Sequence, residues 1–206
     1  MGSGRQALVV ALLIVSGAGV VVWSMRDPRP ITAGFWFDDI RPEATAELAD
    51  RLGGPLTSDD IARIRSIARD ELHAAFASFC LPISDSPTAM YGVRVHQALK
   101  GLIVGGSRSM PGLAGHGDVS FGALASNAVA FAPAGADREA IIEAIGRGIG
   151  RTAAHELAHQ VLGAMDIHSR LDRRSYEYPD VRLEHFYGPL HWTVAEAPMH
   201  ARLGRC

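Results

Sequence analysis

At 206 residues the chain suits one domain with a real core, since single domains commonly run about 100–200 residues, and no internal repeat divides it. Its 20 basic residues, almost all arginine, oppose 22 acidic ones for a formal net charge of −2, and no basic stripe is present, so no nucleic acid is expected as a partner. The two cysteines, Cys80 and Cys206, form no CxxC motif, which excludes the usual redox and structural-zinc patterns; two readings stay open, a disulfide in an oxidising compartment or a small buried hydrophobe at Cys80.

Residues 1–25 open the chain with the apolar run Ala7 to Trp23 behind Arg5. About 17–25 apolar residues span a bilayer, whereas a signal core needs about 7–15, so the segment reads as a signal peptide or a signal anchor. Ser16-Gly17-Ala18 offers a cleavage site, but the run continues through Gly19 to Trp23, which favours a retained transmembrane helix. An extracytoplasmic, membrane-anchored or secreted domain is the expectation, with 26–31, containing Pro28 and Pro30, as linker and 32–206 as the domain.

Thr32 to Ile40 is rich in β-formers and predicts a strand. Thr57-Ser58-Asp59 supplies capping residues before Ile61, Ile64, Ile67, Ala68, Leu72, Ala75, Phe76 and Phe79, an apolar stripe at helical spacing that Pro82 stops. His73 in that helix reads as a surface or packed residue. Met90 to Ala98 and Gly101 to Val104 predict strands, with His96 on a sheet face. Gly105 to Gly117 reads as a glycine-rich loop and Asp118 to Pro133 as an extended segment. Asp137 then caps a long helix with Ile141, Ile142, Ile145 and Ile149 on one stripe and Gly163 at its end. The order predicts an α+β domain, a mixed sheet packed on helices. After Gly163, Tyr176, Tyr178, His185, Tyr187, His191 and Trp192 crowd irregular chain, as in a site wall.

That last long helix carries His155-Glu156-Leu157-Ala158-His159. Residues four apart lie one above the other on a helix, so both imidazoles reach one ion, and Glu156 points towards the water such an ion activates. Catalytic zinc usually takes three protein ligands, leaving one position open. His168 is the preferred third ligand; Asp166 and a later glutamate, Glu177, Glu184 or Glu196, are the alternatives. The metal set is therefore His155, His159 and His168 holding Zn2+, with Glu156 as catalytic base.

Here the chain resembles the metzincin superfamily of zinc endopeptidases, whose pattern is HExxHxxGxxH followed by a methionine-containing turn. The glycine comes one position late, at Gly163. Counted from it, Asp166 takes the third-ligand place, and some metzincin-like families use aspartate there. His168-Ser169, Asp172 and Ser175-Tyr-Glu-Tyr-Pro179 instead look like the matrix-metalloproteinase continuation, with Glu177 where the turn methionine would stand and Met199 as a substitute. The resemblance implies a zincin-like fold with an active-site helix. It also implies that the segment from Phe121 to Phe131 is the upper edge strand of the cleft, against which a substrate peptide adds as a strand. Tyr176, Tyr178 or His191 would then donate to the oxyanion.

The expected function is zinc-dependent endopeptidase activity on peptide or protein substrates, by a metal-activated water with Glu156 as general base. The reading from another class is a zinc-holding or binding domain without turnover, displayed on an extracytoplasmic membrane surface. No Gly-x-Ser-x-Gly elbow or cysteine–histidine signature supports a nucleophile mechanism.

Overall fold

The computed structural model describes residues 12–16, 19–23, 31–41, 48–98, 104–108, 114–163 and 167–206. They belong to two compact units, Met1–Pro30 and Ile31–Cys206. In the first, β1 (Leu12–Ser16) pairs antiparallel with β2 (Gly19–Trp23) in a register that sets Ser16 opposite Gly19. The transmembrane helix expected over Ala7 to Trp23 is thereby overturned, and with it the signal anchor: its described residues are strands, and no described helix is long and apolar enough to cross a membrane. The composition explains the difference, because the valines and isoleucine of this run are β-branched and stiff at χ1, and the glycines among them weaken a helix. The linker expected around Pro28 to Pro30 lies outside the described residues.

The second unit is mixed α/β. Its elements are β3 (Ala33–Phe37), α1 (Ala49–Leu52), α2 (Ser58–Ala75), β4 (Ile83–Ser84), β5 (Tyr91–His96), β6 (Gly105–Arg108), β7 (Gly115–Ser120), α3 (Phe121–Ala130), α4 (Arg138–Leu162), α5 (Leu183–Tyr187) and α6 (Glu196–Leu203). The strands form one mixed sheet in the order β4-β3-β5-β7-β6, with β6 antiparallel to β7 and the other pairs parallel. This agrees with the α+β class in general terms.

Thr57 starts α2 through a capping box: its hydroxyl accepts from the Asp60 amide at 3.2 Å and the Asp60 carboxylate accepts from the Thr57 amide at 2.7 Å. The buried face of α2 is Ile61, Ile64, Ala68, Leu72 and Ala75, a 3.6-residue stripe. It packs on α4, which begins at Asp137, whose side chain accepts from the Ala140 amide at 2.8 Å. Two glycines one turn apart set how closely they meet: a Cβ on Gly146 would sit 2.7 Å from Ile67, and one on Gly150 would collide with the Ala68 carbonyl. Helix α4 is buried along nearly its whole length by α2, the sheet, α3 and α5, which is why its sequence shows little amphipathic contrast.

Two segments depart from the expected pattern. The described ends of the loop expected over Gly105 to Gly117 are strands, β6 and β7, and Gly105, Gly115 and Gly117 lie where α4 side chains press against strand backbone. Asp118 to Pro133 is not extended beyond Ser120. Phe121–Ala130 is a helix, capped by the Ser120 hydroxyl and burying Phe121, Leu124, Ala125, Ala128 and Val129 at spacings of one, three and four. The strand expected over Gly101 to Val104 falls largely outside the described residues, and β6 begins at Gly105.

Cys80 and Cys206 form a disulfide that ties the chain's last turn to the segment after α2, beside a bridge between Phe79 and Arg205. The link spans 126 residues, so breaking it frees a long loop in the unfolded chain. Replacing both cysteines by serine should lower stability by about 2–4 kcal/mol and the melting midpoint by about 4–16 °C, read by thermal denaturation of the oxidised parent and the variant. An unchanged midpoint would contradict this.

Candidate metal centre

His155 and His159 lie one turn apart near the C-terminal end of α4, and their Nε2 atoms stand 3.1 Å from each other. Beyond them Gly163 stops the helix at φ 73°, a left-handed value that favours glycine. His168, five residues further on, lies beside the pair. Its ring centroid is 5.2 Å from that of His155 and 4.9 Å from that of His159. One nitrogen from each of the three rings lies within 4.8 Å of the others, and among the described residues this is the group that has the make-up of a metal site.

Three imidazoles are a donor set that several transition metals accept, zinc among them. His155 Nδ1 is 2.7 Å from the Tyr176 carbonyl, and because a carbonyl only accepts, Nδ1 carries the ring hydrogen and Nε2 keeps its lone pair. Burial pushes the His155 pKa down, against the opposing pull of that hydrogen bond, so the ring is held in the neutral form that binds metals. Two nitrogens bound tetrahedrally at about 2.0–2.1 Å would stand roughly 3.3 Å apart, close to the His155–His159 separation.

Both His155 and the His168 segment lean on one short stretch of chain. The Tyr176 carbonyl takes the hydrogen of His155, and the next carbonyl, Glu177, accepts from the Ser169 amide at 3.0 Å. Glu177 is fully buried. Its Oε1 accepts from the Thr193 and Ala195 amides at 2.7 and 2.9 Å, fixing the approach to α6, while Oε2 is buried without a hydrogen-bond partner among the described residues. Glu177 is thus a scaffold residue and does not join the imidazoles. Glu184 and Glu196 stay outside the cluster as well, and Asp166 lies outside the described residues. Met199, considered for a methionine turn, is buried within helix α6.

Glu156 sits beside the histidines, 5 % exposed, with its pKa raised to about 8 by burial and by the charge of Asp118. Strand β6 passes directly over it: a Cβ on Gly105 would lie 2.7 Å from Glu156 Oε1 and equally close to Thr152. Together these groups line a cleft of about 500 Å³, whose walls also include Gly106, Ser107 and residues Tyr178 to Val181. The cleft edge is therefore β6, one of the two edge strands of the sheet, and not the segment from Phe121 to Phe131.

Of the aromatic and histidine cluster expected as a site wall, Tyr176, Tyr178 and His185 line the cleft. Trp192 instead packs on Phe76, Phe79 and Tyr176 and donates to the Ala75 carbonyl; Tyr187 donates to the Ala128 carbonyl. His191 pairs with Asp172 at 3.0 Å and does not line the cleft. His96 bridges Asp38 and Asp118 on the sheet, and His73 is exposed on α2. Two supporting residues gave no motif in the sequence. Gln160 accepts from the Gly92 amide at 2.9 Å and donates to its carbonyl at 3.0 Å, locking α4 to β5, and Arg151 spans from α4 to both α2 and α5.

Comparison with family models, curated proteins and solved structures finds no match to this chain.

The protein should bind one equivalent of zinc, followed by isothermal titration. His159→Ala and His168→Ala should each weaken binding by more than the about 10–100-fold that loss of a supporting partner costs. Asp166→Ala should leave it unchanged; the reverse pattern for His168 and Asp166 would move the third ligand.

Proposed function

We propose that this chain is a zinc-dependent endopeptidase of metzincin-like character that works outside the cytoplasm. The observation carrying the proposal is the convergence of His155, His159 and His168 with buried Glu156 beneath the edge strand of an open cleft. The Cys80–Cys206 disulfide supports an oxidising compartment.

His155, His159 and His168 would hold the ion. When bound, zinc supplies Lewis acidity, lowering the pKa of water and stabilising negative charge on the scissile carbonyl. The chain's own groups do the rest. Glu156 takes the proton of the attacking water and returns it to the leaving amine. A carboxyl held near a pKa of 8 by burial and by the charge of Asp118 needs a nearby cation to be a carboxylate at neutral pH, and the imidazole cluster is where that cation would sit.

Strand β6 aligns the substrate. As an edge strand it presents backbone groups to an extended peptide, which can add to the sheet with its scissile bond over Glu156. Gly105 and Gly106 keep that edge low enough for backbone to approach. Tyr178 is the better placed of the candidate oxyanion donors: Tyr176 is buried against Trp192 with its hydroxyl pKa raised to about 12 by burial, and His191 is engaged by Asp172.

Glu156→Gln should retain one zinc while lowering cleavage of an unfolded protein substrate by about 100-fold or more, followed by gel and peptide mass analysis. Undiminished cleavage would remove Glu156 from the mechanism. Zinc binding with no cleavage by the parent protein would select the binding-domain reading.

A further inference from the structure

Helix α5 brings His185 into the cleft, against Thr152 of α4. Gly148, Arg151, Thr152 and His155 recur at three- and four-residue spacing on α4 and share a face, and α5 packs against it. A Cβ on Gly148 would collide with the Phe186 ring, so glycine is what lets α5 lie this close. Arg151 then fastens it. Its guanidinium is paired with Glu71 at 2.9 Å and donates to the carbonyls of Glu184, His185 and Gly188 at 3.2, 3.1 and 2.7 Å.

In this grip the His185 ring has one orientation. Nε2 is 3.1 Å from the Gly148 carbonyl and 3.0 Å from Thr152 Oγ1. The carbonyl only accepts, so Nε2 bears the hydrogen and Nδ1 keeps a lone pair. Burial, reinforced by the neighbouring Arg151 charge, drives the pKa to about 3, so the ring stays neutral. The ring lines the cleft, and Nδ1 has no hydrogen-bond partner among the described residues.

Resting on the peptidase reading, we infer that His185 Nδ1 is a fixed acceptor at the Thr152 end of the cleft and selects substrates with a neutral donor side chain, serine, threonine, asparagine or glutamine, at one residue flanking the cleaved bond. An aliphatic side chain there would strip water from Nδ1 and return no hydrogen bond. A lysine or arginine would meet the Arg151 charge behind the ring. Thr152 lies one turn, about 5.4 Å, from Glu156, which is the reach of a side chain next to the scissile peptide.

The test has two arms. In the first, zinc-loaded parent protein cleaves a degenerate peptide library and the products are sequenced. Threonine should exceed valine, and glutamine methionine, by about tenfold at one flanking position. His185→Leu should abolish that preference, while His185→Gln, which keeps one donor for Gly148 and one acceptor for substrate, should retain it. Cleavage with no donor preference, or a preference surviving in His185→Leu, overturns the inference while leaving the peptidase reading intact. In the second arm, zinc-loaded Glu156→Gln protein is equilibrated with matched peptides that differ as threonine and valine. Tighter binding of the threonine peptide, lost with His185→Leu, supports the acceptor even if the parent cleaves nothing, in which case the peptidase reading alone fails. Equal binding of the two peptides overturns the inference.

Discussion

The hydrogen bond from His155 Nδ1 to the Tyr176 carbonyl, 2.7 Å long, joins the two halves of the site. One half is α4, a buried helix whose position is settled by packing. The other is residues 167–182, which form no helix or strand and bury few apolar side chains, Ile167 and Tyr176 among them. Fixing the tautomer of His155 and the course of residues 175–177 in one contact makes the third histidine a consequence: the adjacent Glu177 carbonyl holds Ser169, and Ser169 carries His168 beside it. Glu177 then spends its buried carboxylate on the amides of Thr193 and Ala195, so the stretch is supported from behind as well.

Burying α4 this deeply requires its neighbours to come close, and small residues provide the clearance. Gly146 and Gly150 admit α2, Gly148 admits Phe186, and Gly115 and Gly117 on β7 make room for Gln160 and Glu156. A core assembled in this way moves little, since close-packed interiors transmit displacement instead of absorbing it. His155, His159 and Glu156 therefore stand on a rigid helix, and the edge strand above them is set by contact with that same helix. The proposed hydrolysis would benefit, because misplacement of a reacting group by about 1 Å is costly.

What was legible in the chain was local. The caps at Thr57 and Asp137, the isoleucine stripe, the β-formers after Thr32 and the histidine pair each depend on residues within a few positions of one another, and each is present in the structure. The strand role of Gly105, Gly115 and Gly117 was not legible because it is set by Thr152, Glu156 and Gln160, some 45 residues downstream. Phe121–Ala130 carries alanines and serine that give weak contrast between helix and strand, and its apolar face is evident only once α4 lies against it. The run ending at Trp23 met a length criterion for a membrane helix while its β-branched content favoured strands. Arg151 and Gln160 passed for ordinary helix formers, since their partners belong to other elements.

The central claim is that three imidazoles of this chain share one zinc ion. X-ray absorption at the zinc edge, on protein loaded with one equivalent, reads the first coordination shell directly. Three imidazole nitrogens at about 2.0–2.1 Å with one further light atom is the predicted result. A shell of two imidazoles or fewer, or zinc that washes out on gel filtration, would contradict it.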